Sequence, residues 1–251
     1  MGHVVIDGVT FGGEVDMLEG RMNEILPHVD YMVIVESNRT YTDKPKRYEF
    51  LEHYDRFEPY EDKLIYHPIE GKGSSDAWLN DYHQRRQVGK AIANLNPSDD
   101  AIVFLSDTDE WYDPSLIEQV GEFIYAVKLK KLHMSLHWFH KDEVCGIASR
   151  WINLKGKDVD SLRWQRGSMP LLEGGWHLTS MGDYKYLVNK IRSFAHQELN
   201  RFGVEAALQH CWTNGHDLAG ERFTEIDIDD TFPAWIRDRK APEHWYRRRH
   251  G

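Results

Sequence analysis

Residues 101–110 read AIVFLSDTDE, and this stretch decides the fold. Five apolar residues rich in β-formers follow the turn-forming residues 96–100. They predict an interior strand of a parallel sheet, buried on both faces. The run ends on Asp107 and Asp109, and loops beyond such strand ends are where open α/β sheets bind ligands. Two carboxylates there predict a site for Mg²⁺ or Mn²⁺ that carries a substrate's phosphates.

The Asp-x-Asp pattern by itself is not specific, because it occurs at residues 107–109, 158–160 and 227–229. The second copy lies in a polar stretch, and the third alternates acidic and apolar residues as in a strand with one solvated face. Only the first copy ends an apolar run. Its alternative interpretation is a solvated turn before a helix, with Asp113 as N-cap and Pro114 at the first helical position.

The order of the elements predicts the fold class. The first half alternates strands and helices, which indicates a doubly wound α/β fold with a mostly parallel central sheet flanked by helices. Its predicted strands are 3–11, 31–35, 63–67 and 101–105, and its predicted helices are 14–26, 48–57, 76–95 and 113–127. The second half is less regular. Its predicted strands are 128–139, 145–154 and 171–179, and its predicted helices are 183–199 and 204–212.

Length and composition favour one large domain. The chain has 251 residues, of which 41% are hydrophobic and 29% charged, enough for one sizeable core. We expect a single domain over 1–251. Its nucleotide-binding half would span about 1–127 and its acceptor half about 128–236, followed by a basic tail over 237–251.

Charge and cysteine content exclude several classes. The net charge of -10 argues against a protein that coats nucleic acid, and the basic tail is interpreted as a solvated segment rather than a contact for an anionic partner. Two cysteines cannot form a disulfide framework. The sequence shows neither a leader nor a stretch of membrane-spanning length, so we expect a cytoplasmic protein without a membrane anchor.

Four residues of the first half are candidate contacts for a nucleotide. Arg85 falls on the predicted buried stripe of its helix, where a cation needs a carboxylate or an anionic ligand such as a pyrophosphate. Glu36 ends a predicted strand and can accept hydrogen bonds from a ribose or base, or pair with a cation within residues 39–44. Thr10 and Phe11 close the first strand and can offer backbone atoms and a ring to the base.

Two histidines and two acids of the second half are further candidates. His177 follows two glycines at a strand end, and His196 lies among polar residues of a predicted helix. Each is a structural or surface histidine unless a metal or phosphate partner is present. Asp183 and Glu173 are candidate general bases for an acceptor hydroxyl. Asp183 is alternatively a helix N-cap.

Several of these segments together resemble glycosyltransferase family 17. The resemblance covers most of the chain and rests on Phe11 and residues 14–25, 29–40, 84–85, 105–110, 174–177 and 190–198. It implies a nucleotide-sugar-binding fold of the GT-A type and an Asp-x-Asp metal site. It also implies a nucleotide-diphosphate sugar donor, with a UDP-sugar favoured, and inversion at the anomeric carbon. The sugar could be N-acetylglucosamine, as in the family's best-known member.

Carried over residue by residue, the resemblance gives Asp109 to the metal and Asp107 to the metal or the ribose. Glu36 and Arg85 would hold the nucleotide, and His196 or His177 would complete the metal shell. The best-known member is anchored in the Golgi membrane and this sequence shows no anchor. A glycoprotein acceptor is therefore less expected than another glycan or hydroxyl acceptor in a bacterium or phage.

Two rival functions are compatible with the same residues. A phosphohydrolase of the haloacid dehalogenase type would use Asp107 as nucleophile, although such pairs usually lie near the start of the chain. A non-catalytic module could bind carbohydrate or nucleic acid through the aromatic residues and the basic tail. If the source is a phage, a hydroxymethylated DNA base is a conceivable acceptor, and residues 247–249 would then contact the nucleic acid.

Overall fold

The computed structural model describes residues 2–248, which form an α/β structure around one mixed sheet. The described strands are β1 (Val5–Phe11), β2 (Tyr31–Ser37), β3 (Leu64–Ile69), β4 (Ile102–Asp107), β5 (Glu110–Tyr112), β6 (Tyr125–His133), β7 (Trp138–Arg150), β8 (Leu171–Thr179) and β9 (Thr224–Glu225). The described α-helices are α1 (Val15–Ile25), α2 (Glu49–Glu52), α3 (Tyr54–Phe57), α4 (Ala77–Asn94), α5 (Trp151–Leu154), α6 (Val159–Gln165), α7 (Tyr184–Ser193), α8 (Val204–Asn214) and α9 (Ala234–Arg237). The predicted α/β class is confirmed.

The sheet is mixed, so the prediction of a mostly parallel sheet is wrong. Its order is β3-β2-β1-β4-β7-β6-β8-β5, with β9 beside β7. The first four strands of this order are parallel, whereas β7 runs antiparallel to both β4 and β6. The connection between β6 and β7 spans only residues 134–137. So short a connection cannot make the crossover that parallel neighbours require.

The helix predicted over 113–127 is also wrong. Only a 3-10 helix, Pro114–Gln119, forms there, with Asp113 accepting a hydrogen bond from the Ser115 backbone N–H at 2.9 Å. Gly121 follows, and the β-forming residues 123–127 lead into β6. The predicted strand 128–139 is likewise divided between β6 and β7, and 145–154 ends as the short helix α5. Residues 227–229 do not form the predicted strand.

Helices pack on both faces of the sheet and fix the position of β1 and β4. On one face, Leu18 and Met22 of α1 join a core with Phe104 of β4. On the other face, α4 packs closely over β1. A Cβ atom at Gly8 would lie 2.8 Å from side-chain atoms of Ile92, so the glycine permits this approach.

The described part of the C-terminal segment is packed, which corrects the expectation of a solvated tail. Trp245 and Tyr246 are buried. The Arg247 guanidinium stacks 3.8 Å from the ring centroid of Trp212, and Arg248 pairs with Asp227 at 2.5 Å. Arg249 and the two residues after it lie outside the described residues. Between residues 2 and 248, no helix has the length and apolar character needed to cross a membrane.

Candidate active site

A buried ion pair shapes the turn that carries the two predicted metal ligands. The side chains of Asp7 on β1 and Arg21 on α1 are fully buried and pair at 2.7 Å. Arg21 also donates to the Ser106 hydroxyl at 2.8 Å and to the carbonyl oxygens of Asp107 and Glu110. The guanidinium therefore fixes the chain on both sides of residues 107–110. Sequence reasoning missed this pair, although an arginine beside Leu18 and Met22 on an apolar stripe was a signal for it.

Asp107 lies at the end of β4, as predicted, and is held by hydroxyl and guanidinium groups. Its Oδ1 accepts a hydrogen bond from the Thr10 hydroxyl at 2.9 Å. Its Oδ2 lies 2.9 Å from Arg163 Nη2 and 3.5 Å from Arg85 Nη2. Burial alone would raise the pKa of Asp107, but Arg163, Arg85 and Thr10 hold it far below its usual range.

The two arginines reach Asp107 from different helices. Arg163 on α6 also pairs with Glu110 at 2.7 Å, and no motif of the sequence indicated it. Arg85 on α4 is 18% exposed and also contacts Asp81 at 2.5 Å and Asp160 at 3.8 Å. Because Arg85 is partly exposed, the buried side of α4 differs from the predicted one. Its buried side is Ala77, Asn80, Asp81, Gln84, Val88, Ala91 and Ile92.

Asp160 is another residue of the site that sequence analysis missed. It belongs to the Asp-x-Asp copy at residues 158–160, which sequence analysis placed outside the site. The carboxylate of Asp158 instead caps α6 by accepting from the Asp160 N–H at 3.1 Å, and this turns the buried Asp160 toward Arg85. The second copy thus contributes a carboxylate to the surroundings of the first.

The structure brings Asp109 and His177 together. Strand β5 pairs with β8 so that Glu110 stands opposite His177. The Asp109 Oδ2 consequently lies 3.6 Å from His177 Nε2 and 3.8 Å from Lys190 Nζ. Burial would raise the pKa of Asp109, but His177 and Lys190 lower it below its usual value.

His177 has a second carboxylate on its other ring nitrogen. Its Nδ1 lies 2.6 Å from Glu143 Oε2, and Glu143 in turn pairs with Lys131 at 3.1 Å. Burial would lower the pKa of His177, but Asp109, followed by Cys145 and Glu143, raises it well above its usual value. An imidazole between two carboxylates is an arrangement that either a proton or a metal ion can complete.

His196 lies elsewhere. Its ring meets the ring of Trp78 at a centroid distance of 4.5 Å, and its Nδ1 is 2.6 Å from Glu198. Half of the side chain is exposed. Of the two histidines considered as metal ligands, His177 is therefore the one beside Asp109.

The predicted nucleotide contacts have structural partners. Glu36 is fully buried and accepts from the backbone N–H groups of Glu49 and Phe50 at 2.7 and 3.1 Å and from the Tyr66 hydroxyl at 3.0 Å. Its ion-pair partner is Lys46, at 2.5 Å, which lies outside residues 39–44. These bonds stabilise the chain around β2, and a nucleotide role for Glu36 stays a prediction.

Thr10 and Phe11 differ in their surroundings. The Thr10 hydroxyl contacts Asp107, whereas Phe11 is completely buried and belongs to the core. The Phe11 carbonyl accepts a hydrogen bond from the Gln84 side chain at 2.9 Å. Phe11 therefore offers no exposed ring surface to a base.

The two predicted general bases lie at element ends or edges. Asp183 caps α7 by accepting from the Tyr186 N–H at 2.8 Å. The Glu173 side chain is 60% exposed and pairs with Lys128 at 3.1 Å. Neither contact involves Asp107 or Asp109, and the catalytic roles of both acids stay predictions.

Asp81 gives a testable electrostatic signature. Burial raises its pKa from 3.8 to about 6, and the nearby Arg85 only partly offsets this. A raised pKa means that the folded protein binds a proton more tightly than the unfolded chain. The contribution to stability is therefore complete below about pH 4 and is lost as the pH rises through about 6.

We expect Asp81→Asn to remove this dependence. The free energy of unfolding of the wild type minus that of the variant should fall by about 2 kcal/mol between about pH 4 and pH 7. Chemical denaturation of both proteins at the two pH values measures it. An unchanged difference would show that Asp81 ionises normally in the folded state.

The site gathers carboxylates and guanidiniums at the carboxyl end of parallel strands, which is where open α/β sheets bind ligands. The sequence profile of glycosyltransferase family 17 matches residues 2–228. The chain belongs to glycosyltransferase family 17, and it is therefore a glycosyltransferase enzyme. The predicted family is confirmed.

Other comparisons add little. No curated protein sequence shows significant similarity to this chain. Among solved structures, the inositol-1-phosphate CTP transferase from T. maritima is similar at 11% identity and a TM-score of 0.37. The match covers 74% of this chain and 94% of that chain. A likeness this weak carries no functional argument.

Proposed function

We propose that this glycosyltransferase is metal-dependent and transfers a sugar from a nucleotide-diphosphate sugar, with a UDP-sugar favoured, to an acceptor hydroxyl with inversion. The observation that carries the proposal is the 3.6 Å approach of Asp109 Oδ2 to His177 Nε2, directly beside Asp107 and its two guanidiniums. The carboxylates can hold a divalent ion, and the guanidiniums can bind the negatively charged diphosphate of the donor.

The residues present fit Mn²⁺ or Mg²⁺. Carboxylate oxygen and imidazole nitrogen are usual donor atoms for such ions, the imidazole favouring Mn²⁺. Glu143 accepts a hydrogen bond at His177 Nδ1 and so leaves Nε2 for a metal, as a carboxylate beside a metal-binding histidine commonly does. Asp109 and His177 would hold the ion, with Asp107 as a further carboxylate. When bound, the ion would offset the negative charge that develops on the departing diphosphate.

The arginines and Lys190 would complete the donor site. A guanidinium matches the geometry of phosphate oxygens, so Arg85 and Arg163 can exchange a carboxylate partner for the diphosphate. Lys190, 3.8 Å from Asp109, adds a third cation. These fixed charges would stabilise the leaving group in a partly buried site.

In the transfer step, the acceptor oxygen would attack the anomeric carbon opposite the diphosphate. The new C–O bond forms as the bond from the anomeric carbon to the phosphate oxygen breaks, and the hydroxyl proton passes to a carboxylate. Asp183 and Glu173 are the predicted bases. Glu14 is a third candidate. Burial raises the pKa of its carboxyl group, which Lys190 lowers and Asp109 raises further. A single displacement of this kind inverts the anomeric centre.

A glycan or another hydroxyl compound is the acceptor we favour. The sequence favoured a DNA acceptor only if the basic residues 247–249 were free to contact it. Arg247 stacks on Trp212, however, and Arg248 pairs with Asp227 and Glu225. The described part of this segment therefore gives a nucleic-acid acceptor no support.

A panel of nucleotide sugars tests the function. We expect the wild type to release nucleotide diphosphate from one of them in the presence of Mn²⁺, and to stop when the metal is chelated. The sugar product should have the anomeric configuration opposite to that of the donor. A phosphorylated Asp107 would instead favour the phosphohydrolase. Saccharide binding without any response to nucleotide sugars would favour the non-catalytic module.

A further inference from the structure

Three side chains with different metal-binding atoms converge at the Nδ1 side of the His177 ring. The Cys145 Sγ lies 3.6 Å from His177 Nδ1 and 3.9 Å from Glu143 Oε2. That carboxylate oxygen lies 2.6 Å from the same Nδ1. We call Glu143, Cys145 and His177 the thiol cluster. It offers a sulfur, a nitrogen and an oxygen that all lie within 4.8 Å of one another.

The register of the sheet explains why these side chains meet. Glu143 and Cys145 are two residues apart on β7, so their side chains point to the same face of the sheet. His177 lies on β8, and β6 separates the two strands. Lys131 of β6 stands opposite His177 and pairs with Glu143 at 3.1 Å, on that same face. The fold itself therefore preorganises the thiol cluster.

The distances within the thiol cluster fit a tetrahedral zinc site. Usual Zn²⁺ bond lengths and tetrahedral angles put a ligand sulfur about 3.6 Å from a ligand nitrogen or oxygen. The observed distances from the Cys145 Sγ are 3.6 and 3.9 Å. The same geometry separates nitrogen from oxygen by about 3.4 Å, so the Glu143 carboxylate would have to turn away from Nδ1. Its side chain is 30% exposed, which leaves room for this rotation.

We infer that the thiol cluster binds Zn²⁺ and that this ion inhibits the enzyme. Thiolate and imidazole ligands favour Zn²⁺, whereas Mg²⁺ and Mn²⁺ suit oxygen ligands. The three side chains would supply three ligands and leave the fourth position to water. Burial raises the pKa of the Cys145 thiol to about 11, so the free thiol is protonated. Zn²⁺ binding would displace this proton to solvent, since a coordinating thiol is deprotonated.

Zn²⁺ in the thiol cluster would exclude the catalytic ion, a step that rests on the proposed function. A neutral imidazole has one lone pair, so a metal on Nδ1 leaves the proton of His177 on Nε2. That N–H would face Asp109, which lies 3.6 Å away, and could not bind Mn²⁺. Glu143 would also leave the position in which it frees Nε2 for a metal. The two ions therefore exclude each other at His177.

Cobalt absorption tests the site on the full chain in the absence of a nucleotide sugar. Co²⁺ is the probe, because a thiolate ligand gives it a charge-transfer band in the near ultraviolet. We expect the wild type to show this band and to lose it when Zn²⁺ displaces the cobalt. Cys145→Ser and Cys145→Ala should not show it.

Cys211→Ser is the matched control, because Cys211 is also 2% exposed. Its thiol donates to the Asp217 carbonyl oxygen at 3.2 Å, and within residues 2–248 it belongs to no comparable set of metal-binding side chains. This variant should keep the cobalt band. A wild type without the band, or a band that survives in Cys145→Ala, would overturn the site.

Zinc inhibition of donor hydrolysis at a fixed Mn²⁺ concentration tests the regulatory role. The Zn²⁺ concentration that halves the rate should rise at least about tenfold in Cys145→Ser, because even the outer partners of a metal ligand change affinity by about 10- to 100-fold. Cys211→Ser should be inhibited like the wild type. Equal inhibition of the wild type and Cys145→Ser would overturn the inhibitory role. The cobalt band needs no catalysis, so a protein that shows it but hydrolyses no nucleotide sugar would contradict the proposed function alone.

Discussion

Replacing Asp109 by Asn should lower Mn²⁺-dependent release of nucleotide diphosphate about a thousandfold. The substitution removes one negative charge from the cluster of Asp109, His177 and Lys190 while keeping the side chain's size. Metal-ion stabilisation of a leaving group contributes several kcal/mol, and about 4 kcal/mol corresponds to three powers of ten in rate. Initial rates at saturating donor and a range of Mn²⁺ concentrations measure the effect.

Asp229→Asn is the control for this prediction, since Asp229 belongs to another Asp-x-Asp copy. Its carboxylate is exposed and accepts hydrogen bonds from Thr231, at 2.6 Å from the hydroxyl. This variant should retain the wild-type rate. Equal losses in both variants would mean that the Asp107 turn has no special role, and an active Asp109→Asn enzyme would exclude Asp109 as a metal ligand.

Replacing Arg21 by Met should lower the free energy of unfolding by about 3–5 kcal/mol, because it leaves the fully buried carboxylate of Asp7 without its cation. The same change removes the donors that hold Ser106 and the carbonyl oxygens of Asp107 and Glu110. Urea denaturation followed by circular dichroism measures the loss. Activity should fall with it, since the turn that presents Asp109 loses its support.

Arg86→Met provides the comparison. Arg86 pairs with Asp158 at 2.9 Å, but both side chains are substantially exposed, so the loss should stay below about 1 kcal/mol. The double variant Asp7→Leu/Arg21→Met should recover part of the stability, because it removes the stranded charge. An Arg21→Met protein as stable as Arg86→Met would contradict the role assigned to the buried pair.

The parallel half of the fold was predictable because its signals are local. The apolar run before Asp107 and the stripe of α1 each specify an element within a few residues. The mixed half was not, because β7 pairs with β4 and with β6, and the pairing with β4 joins residues more than 40 positions apart in the sequence (Leu105 with Ile147, for example). The helix predicted over residues 113–127 fails for the same reason. The β-forming end of this segment belongs to β6 and pairs with β7 and β8, which lie later in the sequence.

In the candidate site, too, the residues with local sequence signals were predictable and those brought together by distant contacts were not. Asp107 and Asp109 were placed by the strand that precedes them. Arg163 meets Asp107 across 56 residues of sequence, and Glu143 meets His177 across 34, so neither contact leaves a local pattern. His177 and His196 were equivalent candidates on sequence. The register of β5 with β8 is what brings His177 to Asp109.

Binding of Mn²⁺ tests the central claim most directly. Electron paramagnetic resonance of free Mn²⁺, titrated with protein in the presence of UDP, counts the bound ions. The wild type should bind one Mn²⁺ per chain, and Asp109→Asn and His177→Asn should each lose that binding while Asp229→Asn keeps it. Wild-type binding retained in both Asp109→Asn and His177→Asn, or no binding by the wild type, would contradict a metal site at Asp109 and His177.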